Sequence, residues 1–119
     1  MGLDFTYEGN KRNFETEPHW SYSGFHAYRK KLAEFIGLNL DDMDGFGGTQ
    51  SWSGLEDPIV FLLNHSDCDG IMTATICKTV ANRLMDFMDE LDEYDQEHTS
   101  RLISLMTECY EKGVDLIFC

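Results

Sequence analysis

Residues 65–70, His-Ser-Asp-Cys-Asp-Gly, are the densest group of chemically versatile side chains in the sequence. Within six residues they supply an imidazole, a thiol and two carboxylates. Imidazole and thiolate ligands favour zinc, whereas carboxylates alone favour calcium or magnesium. The segment therefore predicts a zinc site that takes a further ligand from elsewhere in the chain. The candidate ligands are His65, Asp67, Cys68, Asp69 and His19.

Residues 65–70 also invite three other interpretations: an EF-hand loop, a helix cap and a catalytic site. An EF-hand calcium loop is excluded, because placing Gly70 at its sixth position puts His65 and Ile76 where oxygen ligands are required. A simple alternative is that Ser66 or one of the aspartates caps the following helix, with no metal. A metal- or cysteine-dependent enzyme acting at residues 65–70 would use Cys68 as nucleophile and a histidine as base. An enzyme is the less favoured interpretation, because the flanking aspartates disfavour a thiolate and no P-loop, HExxH or nucleophile-elbow motif is present.

A second group is a run of carboxylates between residues 86 and 97 that no lysine or arginine interrupts. Four of these carboxylates share helical spacing, which predicts one solvent-facing row that imitates the phosphates of a nucleic acid. The alternative is an ordinary solvated helix end. The candidate partner-binding residues are Asp86, Asp89, Glu90, Asp92, Glu93, Asp95 and Glu97.

A third group is the aromatic segment at residues 19–25, His-Trp-Ser-Tyr-Ser-Gly-Phe. Trp20 and Tyr22 are of the type that lines a pocket or binds a partner. More often such side chains pack over the edge of a core, and this is the favoured interpretation.

Length, composition and net charge predict the domain organisation, the kind of partner and the cellular compartment. A chain of 119 residues with 42% hydrophobic and 13% aromatic residues predicts a single compact acidic domain over residues 1–119. The net charge of −13 opposes direct nucleic-acid binding and favours a basic protein surface as partner. There is no apolar run of the ~20 residues that a membrane span needs, and no signal peptide is recognisable at the N-terminus. We therefore expect a cytoplasmic protein without membrane contact, whose four cysteines are free thiols.

Hydrophobic periodicity predicts the elements that must position these groups. Leu3–Tyr7 alternates like a strand, and a helix begins at Ser21 or Ser23 and ends at Gly37. Arg29, Lys30 and Lys31 fall away from the centre of that helix's apolar face and form a basic cluster. Residues 38–56 are predicted to be a long loop. The short apolar run 59–63 is compatible with a helix or a buried strand, and Asp57 as a cap favours the helix.

Two long helices and a strand complete the prediction. An apolar stripe at helical spacing from Met72 to Leu91 predicts a central helix of about five turns. Another helix is predicted from near Thr99 to Gly113, and a strand from Val114 to Phe118. The fold class is mainly α with a small terminal β-sheet (α+β). Its three long helices pack as a bundle, and its N- and C-terminal strands pair.

The motifs His19-Trp-Ser-Tyr-Ser-Gly-Phe and His65-Ser-Asp-Cys-Asp-Gly, with Asp57-Pro-Ile and a terminal Leu-Ile-Phe, resemble an uncharacterised family of small acidic bacterial and phage proteins. That resemblance implies no particular activity. In size and charge alone, the chain is also similar to some phage anti-CRISPR inhibitors.

The function expected from these observations is an acidic protein-interaction module. It would be a phage or mobile-element inhibitor of a host defence nuclease, docking on a basic nucleic-acid-binding surface in the bacterial cytoplasm, with a zinc ion in a structural role. An immunity protein against a nuclease toxin would rely on the same physics.

Overall fold

The computed structural model describes residues 2–13 and 15–119, and these form four strands and four α-helices. The strands are β1 (Leu3–Thr6), β2 (His19–Trp20), β3 (Ile71–Met72) and β4 (Leu116–Phe118). The helices are α1 (Tyr22–Phe35), α2 (Val60–Leu63), α3 (Ala74–Met85) and α4 (Glu93–Lys112). The predicted α+β class, with its terminal sheet, is confirmed. None of the helices in the described ranges is long and apolar enough to cross a membrane.

The sheet is antiparallel throughout and has the order β2-β1-β4-β3. The predicted pairing of the terminal strands forms its centre, with Phe5 opposite Phe118. The outer strands β2 and β3 were not predicted. Each is only two residues long, which is too short for a period-2 pattern to be recognised.

An aromatic cluster joins the sheet to α1. The Phe5 ring lies 5.0 Å from that of Phe118, and Trp20 stacks on Tyr28 with 4.5 Å between ring centroids. Phe25 packs against both Phe5 and Trp20. All five side chains are almost fully buried. Trp20 is therefore a core residue, as the favoured interpretation of its segment expected.

The predicted caps of α1 are confirmed, whereas the N-cap of α2 is Ile59 and not the predicted Asp57. Ser21 accepts a hydrogen bond from the Gly24 backbone N–H at 3.0 Å and begins α1. Gly37 follows α1 with φ of 78°, a conformation that glycine adopts without strain. The Asp57 carboxylate accepts from the Ile59 N–H at 3.0 Å, and the apolar run that follows contains the short helix α2.

The predicted central helix from Met72 to Leu91 is wrong at both ends. Met72 lies in β3, and α3 ends at Met85. The chain then bends through a 3-10 turn, Met88–Glu90, which lets Phe87 and Leu91 both be buried. A continuous helix would also have crowded carboxylates along one face, and like charges at that spacing are unfavourable.

The last helix is longer than predicted. Asp92 accepts a hydrogen bond from the Asp95 N–H at 2.8 Å, so α4 begins at Glu93 and not near Thr99. Acidic side chains in this first turn interact favourably with the positive end of the helix. The helix ends at Gly113, as predicted, with φ of 66°.

The connection over residues 38–56 contains a 3-10 turn, Leu40–Asp42, and two isolated β-bridges. Gly48 lies so close to the Asp42 backbone that a Cβ atom would overlap it. This folded connection positions Phe46 against α1, where its ring lies over the Arg29 guanidinium.

A buried hydrogen bond between α1 and α4 generates a stability prediction. The Tyr28 hydroxyl lies 2.6 Å from the Thr99 hydroxyl, and both residues are at most 1% exposed. Tyr28→Phe leaves the Thr99 hydroxyl buried without this partner, so we expect a loss of about 1–3 kcal/mol in the free energy of unfolding. Urea denaturation measures it.

The matched controls separate the hydrogen bond from the ring. Tyr110→Phe removes the hydroxyl of a partly exposed tyrosine and should change stability by much less. Adding Thr99→Val to Tyr28→Phe removes both partners and should restore part of the loss. Equal losses for the Tyr28 and Tyr110 variants would contradict the assignment.

Candidate functional site

Both ring nitrogens and the ring face of His65 are in contact with other groups of the protein. Its ring stacks on Phe118 with 3.7 Å between centroids. Its Nδ1 lies 2.9 Å from the Ser66 carbonyl oxygen, and its Nε2 lies 2.7 Å from that of Ile71. A metal ion could bind either nitrogen only by displacing a backbone carbonyl. For His65 to act as a catalytic base, a substrate would likewise have to displace one of these carbonyls. His65 thus ties the 65–70 segment to the sheet.

Of the other predicted zinc ligands, Asp67 is half-buried and lines the same surface pocket as His65. Cys68 and Asp69 are exposed, and the Cys68 Sγ lies 3.6 Å from the Ser66 hydroxyl. His19 lies on β2, where its Nδ1 is 2.8 Å from Asp4 Oδ1. Residues 2–13 and 15–119 contain no group of three or more His, Cys, Asp or Glu side chains placed to hold a metal ion.

The interpretation that a residue of this segment caps α3 is wrong. β3 separates residues 65–70 from α3, whose N-terminal cap is Thr73 without a side-chain hydrogen bond. The Ser66 hydroxyl accepts instead from the Cys68 N–H at 3.3 Å, a turn within the segment. The segment is therefore a connection between α2 and β3.

Arg29 was predicted to lie away from the centre of the apolar face of α1, in a basic cluster, but it is buried, with 3% of its surface exposed. Its Nη1 donates to the Leu63 carbonyl at 3.1 Å and to the His65 carbonyl at 2.6 Å. These carbonyls lie at and just beyond the C-terminal end of α2, where helical carbonyls lack intrahelical partners. Burial lowers the pKa of Arg29 to about 10, and the nearby charge of Asp67 opposes that shift. Hydrophobic periodicity does not predict the burial of this arginine, because Arg29 lies in a run of basic residues.

Arg29 lies at a surface pocket of about 430 Å³ between α1, the 38–56 connection and the 65–70 segment. Its other lining residues include His26, Phe46, His65, Ser66 and Asp67. The pocket thus brings polar residues of α1, Arg29 and His26, together with three consecutive residues of the 65–70 segment.

The carboxylates of residues 86–97 do not form the predicted helical row. Asp86 ends α3, Asp89 and Glu90 lie in the 3-10 turn, and Glu93 begins α4. They meet at one bend of the chain, which we call the acidic bend and define by the following residues. It comprises Asp86, Asp89, Glu90, Asp92, Glu93, Asp95 and Glu97.

The members of the acidic bend differ in how far they are neutralised. Asp86 pairs with Arg83 at 3.0 Å, and Glu97 pairs with Arg101 at 2.9 Å. Asp95 accepts a hydrogen bond from the Trp20 indole at 3.1 Å. By contrast, Asp89, Glu90 and Glu93 are exposed and form no ion pair in the described part of the chain.

The aromatic segment and the acidic bend meet at a groove of about 420 Å³. Tyr94 lies at its edge, 49% exposed, with its ring stacked on His98 at 4.1 Å and its hydroxyl donating to the His19 carbonyl at 2.7 Å. His98 accepts from the His19 N–H at 3.0 Å, and its pKa is lowered by burial and by Arg101. Nothing in the sequence pattern indicated that these two segments meet, and Tyr94 was not among the predicted site residues.

Comparison of the chain with protein-family models, with curated proteins and with solved structures finds no match. The family resemblance inferred from the two motifs therefore stays a prediction.

Zinc bound at residues 65–70 also stays a hypothesis, with a direct test. It predicts that the purified protein contains stoichiometric zinc and that His65→Ala and Cys68→Ser each lower the zinc content. Elemental analysis after dialysis measures this. Cys119→Ser, which removes the other exposed thiol, is the control and should retain the metal. Wild-type protein without zinc, after purification in zinc-containing medium, would contradict the hypothesis.

The ion pair beside the acidic bend predicts a pH dependence. Arg83 Nη2 lies 2.7 Å from Asp57 Oδ2, and its hydrogen bonds lower the pKa of the Asp57 carboxyl. Because the folded pKa lies below the unfolded value of about 3.9, the charged carboxylate stabilises the fold at neutral pH. This stabilisation disappears as pH falls through the folded pKa.

Asp57→Asn should therefore be less stable than the wild type at pH 7, and the difference should shrink towards pH 3. Urea denaturation across this range measures it. Glu56→Gln changes the neighbouring, exposed carboxylate and should give a small difference that varies little with pH. A gap for Asp57→Asn that stays constant with pH would show that the charge plays no part.

Proposed function

We propose that this chain is an acidic protein-interaction module that docks on the basic nucleic-acid-binding surface of another protein. We further propose that it is a phage or mobile-element inhibitor of a host defence nuclease, acting in the bacterial cytoplasm. Its docking surface is the acidic bend together with Tyr94.

The observation that carries this proposal is the set of exposed charges at the bend. Asp89, Glu90 and Glu93 are held by a 3-10 turn and the first turn of α4, without a cation from the described chain beside them. Such charges lose no internal ion pair when a partner's lysine or arginine approaches. They are available to take the place of nucleic-acid phosphates on a basic surface.

Apolar and aromatic side chains flank these charges. Met85 is 60% exposed at the end of α3, and Tyr94 is 49% exposed one residue after Glu93. Tyrosine is common among the residues that dominate interface energetics, and methionine adapts to irregular partner surfaces. The stacked His98 and the hydrogen bond to His19 hold the Tyr94 ring in place, which lowers the entropic cost of binding.

The overall charge of −13 supports the same interaction at longer range. A strongly negative field accelerates encounter with a basic surface and repels nucleic acid itself. Association should therefore weaken as salt rises, because the Debye length falls from about 10 Å at 0.1 M to about 3 Å at 1 M.

Charge reversal tests the proposal. The probes are purified DNA-cleaving nucleases with basic substrate clefts, namely CRISPR effector complexes and nuclease toxins. We expect the wild-type protein to bind one of them and to compete with its DNA. The triple variant Asp89→Lys, Glu90→Lys, Glu93→Lys should lose at least tenfold in affinity, because each reversal turns an attraction into a repulsion. Surface plasmon resonance and DNA cleavage report binding and inhibition.

The control is a second triple variant that has the same net charge but carries its three charge reversals outside the acidic bend. Glu8→Lys, Glu56→Lys and Glu111→Lys change three exposed carboxylates outside the acidic bend. This variant should lose only the salt-dependent part of the association rate. Equal losses of affinity for both variants would show that binding depends on net charge and not on the acidic bend. Unchanged binding by the acidic-bend variant would overturn the proposal. Inhibition of a toxin but not of a CRISPR effector would identify an immunity protein.

A further inference from the structure

The Arg29 side chain leaves one edge of its guanidinium without a hydrogen-bond acceptor. The group carries five N–H donors in a planar fork. Nη1 donates to the Leu63 and His65 carbonyls. Nε is buried and has no hydrogen-bond partner in the described part of the chain, and Nη2 donates no hydrogen bond to those residues. Nε and Nη2 lie side by side and form the edge that binds carboxylate or phosphate oxygens in a bidentate manner.

Packing fixes the plane of this fork. The Phe25 and Phe46 ring centroids lie 4.7 Å and 4.9 Å from the guanidinium carbon. Together with the two carbonyl contacts, these rings restrict rotation of the group. The donor edge is thereby preorganised, so little side-chain entropy remains to be lost on binding.

The charge of Arg29 is not balanced by an ion pair with any carboxylate of the described residues. Asp67 lines the same pocket, is half-buried and acts on Arg29 only through its charge. A buried donor without an acceptor destabilises the protein, and more so when it is charged. An acceptor with negative charge would remove this cost.

We propose that the pocket at Arg29 binds a small oxyanion group, a carboxylate or a phosphate, through the Nε–Nη2 edge of the guanidinium. The pocket volume of about 430 Å³ leaves room for such a group. The Ser66 hydroxyl and the His26 imidazole line the pocket and supply further polar groups for its oxygens. Because the net charge of the protein opposes any anion, recognition depends on these short-range hydrogen bonds.

The test is titration of the whole protein with sodium phosphate and, separately, with sodium acetate, at ionic strength matched by sodium chloride. Nitrogen-edited NMR follows the Arg29 Nε–H signal. A saturable shift with phosphate identifies a phosphate site, and one with acetate identifies a carboxylate site. Either supports the proposal, whereas no saturable shift with either anion, or the same shift with chloride, overturns it.

A variant that spares Arg29 gives an independent result. Asp67→Asn removes the carboxylate that lines the pocket, and loss of its repulsion should tighten anion binding about five- to tenfold. Asp69→Asn makes the same charge change on an exposed residue that does not line the pocket, and should have little effect. Equal effects of the two substitutions would overturn the proposal. Arg29→Lys keeps the charge but loses the fork, so a variant that melts cooperatively should no longer bind.

Discussion

The antiparallel pairing of β1 with β4 joins the two ends of the chain, and the positions of the other elements follow from it. Asp4 and Cys119 exchange two backbone hydrogen bonds, of 3.0 Å and 2.9 Å, and Phe5 meets Phe118 across the same pair. These contacts join residues up to 115 positions apart, which makes them entropically costly and dependent on the aromatic cluster around them. β2 adds to one side of this pair and β3 to the other.

The sheet thereby separates the two groups of side chains that carry chemistry. β2 holds His19 beside Tyr94 and the acidic bend. On the other side, β4 provides the ring on which His65 stacks, and Gly70 accepts a hydrogen bond from the Phe118 N–H at 2.9 Å. His19 and His65, both candidate zinc ligands, each take part in a separate local hydrogen-bond network.

Burial and charge together decide the shape of the acidic bend. Phe87 and Leu91 enter the core on either side of the 3-10 turn, while the carboxylates between them stay in water. Asp92 then uses its side chain to begin α4. The run of carboxylates therefore spans the break between α3 and α4, and its last members, Glu93, Asp95 and Glu97, lie at the start of α4. Arg29 shows the opposite combination, a charge taken into the interior and held by carbonyl oxygens and aromatic rings.

The sequence by itself determined the fold class, the terminal strands, α1 with its caps, and the end of α4, because periodicity and capping are local properties. It also determined the net charge and where carboxylates are concentrated. Only the tertiary structure decided where the central helix breaks, since the apolar stripe continues unchanged from Leu84 to Leu91 while the packing of Phe87 requires a bend. It likewise decided which carboxylates keep a cation, which nitrogens of His65 are occupied and that Arg29 is buried. Those outcomes depend on contacts between residues distant in the chain, which no local pattern records.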